Sequence, residues 1–286
     1  MNYSEQAVVF GCQGESLIGI ASLPAEPATR AVLIVVGGPQ YRAGSHRQFT
    51  LLARSLAADG IASLRFDYRG MGDSGGEARS FESVNEDLRA AVDCLFSSVP
   101  GVRDVVIWGL CDAASAALFY ASADARVRGL VLLNPWVRTS GGEAKAILKH
   151  YYRDRLLQPA LWKKIASGKF ELGGALRSLG SVLAKAVGGG AATGSDGAAT
   201  AAAGTLPERM LDGLSAFQGQ VLLILSGRDL TAQEFTDLVG ASPAWQRALG
   251  GSTVRRQDFA EADHTFSRRA WRDQVATWTS QWITSW

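Results

Sequence analysis

A cysteine, an aspartate and a histidine follow one another along the chain at positions from which they could carry out nucleophilic chemistry. Cys111 lies within the pentapeptide GLCDA at 109–113, between a strand-like and a helix-like run. Asp229 and His264 each follow a strand-like run near the end of the chain. In such a triad the imidazole takes the thiol proton, and the carboxylate orients the imidazole and stabilises its charge. The pattern indicates acyl transfer through a thioester intermediate.

The elements around Cys111 predict how its thiol is presented. The apolar run at 104–108 is typical of a buried strand, and the run AASAALF at 113–119 is typical of a helix. A nucleophile on so tight a turn has a strained backbone, and its side chain projects above the sheet. Strand and helix nearly touch there, so small neighbours are required, and Gly109 and Ala113 meet that need. The segment departs from G-x-S-x-G in its sulfur nucleophile and in its final alanine.

Strand-like and helix-like runs alternate along most of the chain. Strands are predicted at 6–12 and 17–22 as a hairpin, and then at 31–36, 61–66, 104–108, 129–133, 221–226 and 253–259. Helices are predicted to begin near Ser45 and Ser83, where the spacing to Gln48 and Glu86 fits capping boxes. This alternation predicts an α/β fold, with a mainly parallel sheet covered by helices on both faces.

Further motifs resemble those of the α/β-hydrolase superfamily. They are the segment DYRGMGDS at 67–74, GRD at 227–229 and DHTF at 263–266, together with the order nucleophile, acid, histidine. More narrowly, the segment GGPQYRAGSHRQF at 37–49 and the GLCD turn resemble the exosortase A system-associated hydrolases, first type. The resemblance implies an α/β-hydrolase fold and work alongside bacterial exopolysaccharide production.

The alternation breaks after Pro135, which predicts a division of the chain. We expect a first part of the core at 1–138, a helical cap insertion at 139–217 and a second part of the core at 218–286. The Gly/Ala-rich stretch at 188–204 has too little apolar bulk to pack and is typical of a flexible link. It is interpreted either as a lid hinge or as a tolerated surface loop.

Composition limits the other classes of function. The 286 residues are 47% hydrophobic with a formal net charge of +2, and the absence of a basic tract argues against nucleic acid as a partner. No signal peptide and no apolar run of about 18 residues is visible, and three cysteines suit a reducing compartment, so we expect a cytoplasmic protein. No cofactor or metal is expected. The sequence leaves the oligomeric state open.

Two backbone N–H groups are predicted to bind the developing oxyanion. One belongs to Asp112 and the other to the loop after Val36, where Gln40 is the candidate because Pro39 has no N–H. Arg42 and His46 in the same loop are candidates for contact with a polar or anionic acyl substrate. The Asp112 carboxylate opposes formation of the neighbouring thiolate.

Alternatives remain open at several positions. Cys111 could be an inert cysteine, as we expect of Cys12 and Cys94. The alternative for Asp229 is that it caps the helix that follows it and has no other role. Asp263 is a second-choice acid, and Asp67 with Arg69 is interpreted as a structural turn with an internal ion pair.

The C-terminal helix carries a stripe of apolar residues at helical spacing (Trp271, Val275, Trp278 and Trp282), which either packs on the sheet or anchors the chain peripherally to a membrane surface. For the whole chain we expect cleavage of an ester or thioester. The alternatives are acyl transfer to a sugar or lipid hydroxyl, and a non-catalytic protein that binds an acylated partner.

Overall fold

Eight strands and seven α-helices form over residues 3–38, 40–138 and 204–286, which are the residues that the computed structural model describes. The strands are β1 (Tyr3–Cys12), β2 (Glu15–Pro24), β3 (Arg30–Val35), β4 (Ala62–Asp67), β5 (Asp104–Leu110), β6 (Val127–Leu133), β7 (Gln220–Ser226) and β8 (Val254–Phe259). The helices are α1 (Gln48–Ala58), α2 (Asn85–Ser98), α3 (Asp112–Ala121), α4 (Leu206–Ala216), α5 (Leu230–Ala241), α6 (Pro243–Leu249) and α7 (Arg269–Ile283).

The strands form one sheet in the order β1-β2-β4-β3-β5-β6-β7-β8. β2 pairs antiparallel with β1 and with β4, and the remaining neighbours pair in parallel. The first two strands form the predicted hairpin, whose turn residues Gln13 and Gly14 have φ of 52° and 84°. Two successive residues with positive φ match the twist of a two-residue hairpin turn. The predicted mainly parallel sheet is confirmed.

Both faces of the sheet are buried, because alternate residues of its central strands enter different apolar cores. In β5, Val105 and Ile107 belong to one core, which includes Leu88 of α2. Val106 and Trp108 point the other way, into a core that includes residues of α1 and α7. Since a strand directs successive side chains to opposite faces, an unbroken apolar run can serve both cores.

The C-terminal helix packs on the sheet. Trp271, Val275 and Trp282 of α7 are all less than 9% exposed and belong to the core on the α1 side of the sheet. Trp278 is partly buried against the same core. The apolar stripe therefore serves core packing, the first of the two interpretations, and these side chains are turned away from any membrane surface.

The two predicted capping boxes are wrong, although α1 and α2 begin within three residues of Ser45 and Ser83. Ser45 lies in a short 3-10 turn ahead of α1, and its hydroxyl hydrogen-bonds to the Gln40 side chain at 3.0 Å instead of capping. Ser83 lies in another 3-10 turn, and its hydroxyl donates to the carbonyl of Ser80. In both cases the chain makes a tighter turn before the α-helix, which moves the serine away from the capping position.

The core resumes earlier after the insertion than the sequence suggested. Residues from Leu206 onward form one compact unit with residues 1–137, so α4 belongs to the core and not to the predicted insertion at 139–217. The reason is packing, since Met210 and Leu214 of α4 are buried in the same core as α2 and α3. The rest of the predicted insertion, at 139–203, lies outside the described residues, and so does almost all of the stretch at 188–204.

The close approach of β5 to α3 generates a prediction. A Cβ added to Gly109 would lie 2.6 Å from the backbone C and O of Ala113, so Gly109→Ala must push strand and helix apart. We expect the variant to lose about 1–3 kcal/mol of unfolding free energy, as overpacked cores do. Urea unfolding measures the change.

A matched glycine provides the control. Gly240 of α5 is exposed and has open space around its Cα, so Gly240→Ala should leave stability unchanged or raise it by up to about 1 kcal/mol. Equal stability losses in the two variants would contradict the close contact at Gly109.

Candidate active site

Cys111 is the single residue between β5 and α3, and its backbone is strained. Its φ of 64° and ψ of −125° lie in a region that non-glycine residues rarely adopt. The Cys111 N–H donates to the carbonyl of Leu133 at 2.9 Å, and its carbonyl accepts from the N–H of Trp136 at 3.2 Å. Cys111 is partly exposed, whereas Cys12 and Cys94 are buried. The fold thus presents one of the three thiols to a reactant.

The three residues predicted as a triad meet at the carboxyl end of the sheet. His264 Nδ1 lies 2.9 Å from Asp229 Oδ2, and the Cys111 side chain lies close enough to the His264 ring to raise its pKa. Asp229 follows β7 and His264 follows β8, so the ends of neighbouring parallel strands bring them together. The geometry is that of a nucleophile, a base and an orienting carboxylate.

The environment of His264 favours its charged form. Burial by itself lowers the pKa of the imidazole, but hydrogen bonds to Asp229 and Cys111, together with the charge of Asp229, raise the pKa to about 10. Its ordinary value is 6.5. At neutral pH the ring therefore carries a proton on both nitrogens. A thiolate beside such an imidazolium is stabilised by the opposite charge.

Asp229 makes the contacts that both of the roles left open by the sequence require. Its two carboxylate oxygens accept from the N–H groups of Thr231 at 3.2 Å and Ala232 at 3.1 Å, which caps α5. The oxygen bound by Ala232 is the one that contacts His264. Capping therefore fixes the position of the carboxylate relative to the imidazole.

A buried asparagine that the sequence analysis missed holds the histidine loop. Asn134 is fully buried directly after β6, and its Nδ2 donates to the carbonyl of His264 at 3.1 Å and to Ser226 Oγ at 2.9 Å. Ser226 Oγ in turn donates to the carbonyl of Asp263 at 2.9 Å. A polar residue at the end of a buried strand was the signal that could have identified Asn134. Asn134 and Ser226 are positioning residues for His264.

The Asp263 carboxylate does not contact His264. It accepts from the N–H of Ser267 at 2.9 Å and from the Ser267 hydroxyl. Burial raises the pKa of Asp263, but these hydrogen bonds outweigh burial and lower it. Asp263 therefore stabilises the loop after His264 and leaves the orienting role to Asp229.

The structure changes the predicted oxyanion donors. The N–H of Gln40 donates to the carbonyl of Gly38 at 2.8 Å within a tight turn, so it is not directed at Cys111. The N–H of Gly38 faces the start of α3 instead, where it lies 2.9 Å from Asp112 Oδ1 and 3.0 Å from Oδ2. Gly38 therefore replaces Gln40 as the candidate partner of the Asp112 N–H. The predicted donor lies two residues too late in the chain, because no local pattern shows that the N–H of Gln40 bonds to the Gly38 carbonyl.

The Asp112 carboxylate occupies the space that the Gly38 N–H faces. It accepts from the backbone N–H of Gly38, and the N–H groups of Ala113 and of Asp112 itself lie near it. Burial raises the pKa of Asp112, and these N–H groups and the charge of His264 oppose the rise only in part.

Arg42 is not free to bind an anionic substrate, contrary to our expectation. Its guanidinium forms ion pairs with Asp67, which is fully buried, and with Asp73 at 2.7 Å. Arg69 pairs instead with buried Asp87 at 2.8 Å, so the predicted ion pair between Asp67 and Arg69 is wrong. Each charge is held by a partner from a different segment. These pairs brace the loops after β3 and β4.

His46, the other residue expected to contact substrate, lies in the 3-10 turn ahead of α1. Its backbone φ is 53°, and its carbonyl accepts from Arg272 of α7 at 3.4 Å. Its contact with a substrate stays a prediction.

Over residues 3–38, 40–138 and 204–286, no group of three or more histidine, cysteine, aspartate or glutamate side chains has metal-binding geometry. Within the same residues no helix is long and apolar enough to cross a bilayer.

The fold of the chain agrees with that of solved esterase structures. The Pyrococcus furiosus esterase superposes with a TM-score of 0.66 at 15% identity, over 99% of this chain and 92% of that one. A Butyrivibrio proteoclasticus protein solved with ferulic acid bound gives 0.62 at 14% identity, over 97% and 98%. The chain has the α/β-hydrolase fold. At these identities the likeness concerns the fold alone.

Sequence comparisons give partial matches. The family described as serine aminopeptidase, S33, matches residues 27–166, just under half of the chain, which includes Cys111 but neither Asp229 nor His264. An uncharacterized Pseudomonas aeruginosa protein is 35% identical over 107 residues, which are 36% of this chain and 28% of that protein. A crystal structure of a hypothetical protein from Pseudomonas aeruginosa shares the α/β-hydrolase fold, with a TM-score of 0.59 at 20% identity over 98% of this chain and 94% of that one.

The raised pKa of His264 predicts how stability changes with pH. Because the pKa in the folded state, about 10, lies above the ordinary 6.5, the contribution of the charged ring is complete below pH 6.5 and is lost as pH rises to about 10. We expect the stability difference between wild type and His264→Ala to shrink steadily from pH 6.5 to pH 10. Urea unfolding at four pH values measures it. A constant difference above pH 7.5 would contradict the raised pKa.

Proposed function

We propose that the chain is an esterase or thioesterase whose nucleophile is Cys111, with His264 as acid and base and Asp229 as the orienting carboxylate. The observation that carries the proposal is that one imidazole ring meets both other residues: Asp229 Oδ2 lies 2.9 Å from His264 Nδ1, and the partly exposed Cys111 lies near enough to raise the pKa of the ring. The thiolate attacks the acyl carbon, His264 protonates the leaving group, and water then opens the thioester with His264 as base.

The charge state of His264 supports a sulfur nucleophile at the turn between β5 and α3. Matching relatives are described as serine enzymes, and a serine hydroxyl needs a neutral imidazole to take its proton. An imidazole with a pKa of about 10 is already protonated at neutral pH. Free thiols ionise at about pH 8.5, so the proton of a thiol–imidazole pair can rest on the ring before substrate arrives. The raised pKa of His264 therefore favours a nucleophile that ionises more readily than a hydroxyl.

The substrate class rests on chemistry and on resemblance. A thiolate nucleophile favours activated acyl carbons such as those of esters and thioesters. Structural neighbours described as esterases agree with this choice. The association with bacterial exopolysaccharide and exosortase systems is part of the proposal and rests on the motifs at 37–49 and 109–112. Acyl transfer to a sugar or lipid hydroxyl would use the same first step, with the hydroxyl replacing water.

Removal of the thiol should abolish turnover. We expect Cys111→Ala to lower kcat/KM for p-nitrophenyl and CoA esters by at least about 1,000-fold, since the covalent route is lost. Cys111→Ser should lose nearly as much, because a hydroxyl ionises far less readily than a thiol. A series of acyl chain lengths and one aminoacyl anilide are measured together, which also tests peptide-like bonds.

A second cysteine gives the matched control. Cys94 is buried in α2 and burial raises its pKa, so Cys94→Ala should keep full activity. Activity that survives in Cys111→Ala would overturn the proposed nucleophile.

One observation favours a non-catalytic binding protein. The Asp112 carboxylate takes the N–H groups that an oxyanion would need, including that of Gly38 at 2.9 Å. A protein with these donors permanently filled could hold an acylated partner without cleaving it. The two functions differ in the reactivity of Cys111.

Thiol alkylation separates these two functions. If the triad operates, Cys111 should react with iodoacetamide at pH 7 at least about 10-fold faster than Cys12 or Cys94, because it is partly exposed and paired with His264. The rate at Cys111 should fall in His264→Ala. Mass spectrometry of peptides gives the rate at each cysteine. Equal rates at the three cysteines would favour the binding function.

A further inference from the structure

A carboxylate lies where an α/β-hydrolase stabilises its oxyanion. Asp112 is the first residue of α3 and follows the nucleophile directly. Its two oxygens lie 2.9 and 3.0 Å from the N–H of Gly38, and the neighbouring N–H groups of Asp112 and Ala113 act to lower its pKa. Donors from the loop after β3 and from the first turn of α3 are those that would receive a carbonyl oxygen attacked by Cys111. Of these donors, the N–H of Gly38 is directed at the Asp112 carboxylate.

The surroundings are shaped to admit this carboxylate. A Cβ at position 37 would overlap Asp112 Oδ1 and the carbonyl of Leu110, so only glycine leaves the required space. The backbone at Gly38 has a φ of 64°, a conformation that favours glycine, and its N–H points to Asp112 of α3. Glycines at 37 and 38 thus build the pocket that the Asp112 side chain fills.

We propose that Asp112 is an internal plug of the oxyanion hole, whose carboxylate must rotate away before a substrate carbonyl can bind beside Cys111. Its position next to the acyl carbon also makes it a specificity-determining residue. It competes with carboxylate-bearing acyl groups and carboxylic acid products for the same N–H donors, and it repels them by charge. Neutral acyl groups pay only the cost of displacing the side chain.

This inference deepens the proposed function, on which its link to hydrolysis rests, but the plug can be tested by alkylation alone. In that reaction the Cys111 thiolate attacks the methylene carbon, a sulfur–carbon bond forms and iodide leaves. Neutral iodoacetamide and anionic iodoacetate differ only in the group that would lie near Asp112. Their ratio of rate constants at Cys111 therefore reports on the charge and on the free space at the hole.

Removal of the Asp112 side chain should weaken the preference of Cys111 for iodoacetamide over iodoacetate. We expect Asp112→Ala to raise the iodoacetate-to-iodoacetamide ratio by about 10-fold or more, because a repelling charge is lost and N–H donors are freed. Millimolar acetate should then protect Cys111 of this variant from iodoacetamide, and it should not protect the wild type. An unchanged ratio without acetate protection would overturn the proposal.

Two further variants keep the test decisive. Asp112→Asn removes the charge but keeps an oxygen for the donors, so we expect about a 3-fold rise in the ratio and no protection by acetate. If thermal melting shows that Asp112→Ala is not folded, Asp112→Asn becomes the deciding variant. An unchanged ratio of rate constants in Asp112→Asn then overturns the proposed plug. Asp263→Asn removes a carboxylate next to His264 in sequence and should change the ratio less than about 2-fold.

Ester hydrolysis by the same variants separates the plug from the proposed function. Faster hydrolysis of a neutral p-nitrophenyl ester by Asp112→Ala supports both. A changed alkylation ratio with no hydrolysis in any variant keeps the plug and overturns the esterase. Hydrolysis with an unchanged ratio overturns the plug alone.

Discussion

The strained turn at Cys111 determines how the other parts of the site can be arranged. With φ at 64° and ψ at −125°, the residue is held by hydrogen bonds to Leu133 and Trp136 on its two sides. Strain of this kind costs of order 1–3 kcal/mol and persists only where the surrounding structure fixes it. The same turn directs the thiol to His264 and starts α3 beside it. One backbone conformation thus places the proposed nucleophile beside the N–H groups at the start of α3.

The positions of the charged Asp229 and His264 side chains depend on contacts between residues at the ends of β6, β7 and β8. β7 and β8 bring Asp229 and His264 to one edge, and Asn134 after β6 joins their loops through Ser226 and the carbonyl of His264. The carboxylate is fixed by the N–H groups of α5, so it cannot turn away from the ring. A fixed carboxylate on one side and a thiol on the other hold a proton on the imidazole. That state suits a thiol far better than a hydroxyl.

Sequence patterns predicted the sheet, the strand-to-helix turn at Cys111 and the order of the three site residues, because each depends on local signals. Buried runs and small residues at 109 and 113 are visible in the sequence itself. The partners of Arg42, the donor at Gly38 and the role of Asn134 depend on where loops cross in space. No local pattern records that Arg42 meets Asp67, or that the N–H of Gln40 closes a turn on Gly38. The 3-10 turns at Ser45 and Ser83 were missed for the same reason.

The charges at the site explain why Asp112 affects reactivity more than an ordinary helix residue would. Near a single imidazolium lie the Asp229 carboxylate, the thiol of Cys111 and the Asp112 carboxylate. Asp229 has the direct contact with the ring, so Asp112 depends mainly on backbone N–H groups for stabilisation. When a carbonyl oxygen takes those donors, the carboxylate must reach water or bind a proton, and burial already raises its pKa. In the proposed reaction at Cys111, Asp112 therefore sets part of the free-energy cost of the first chemical step.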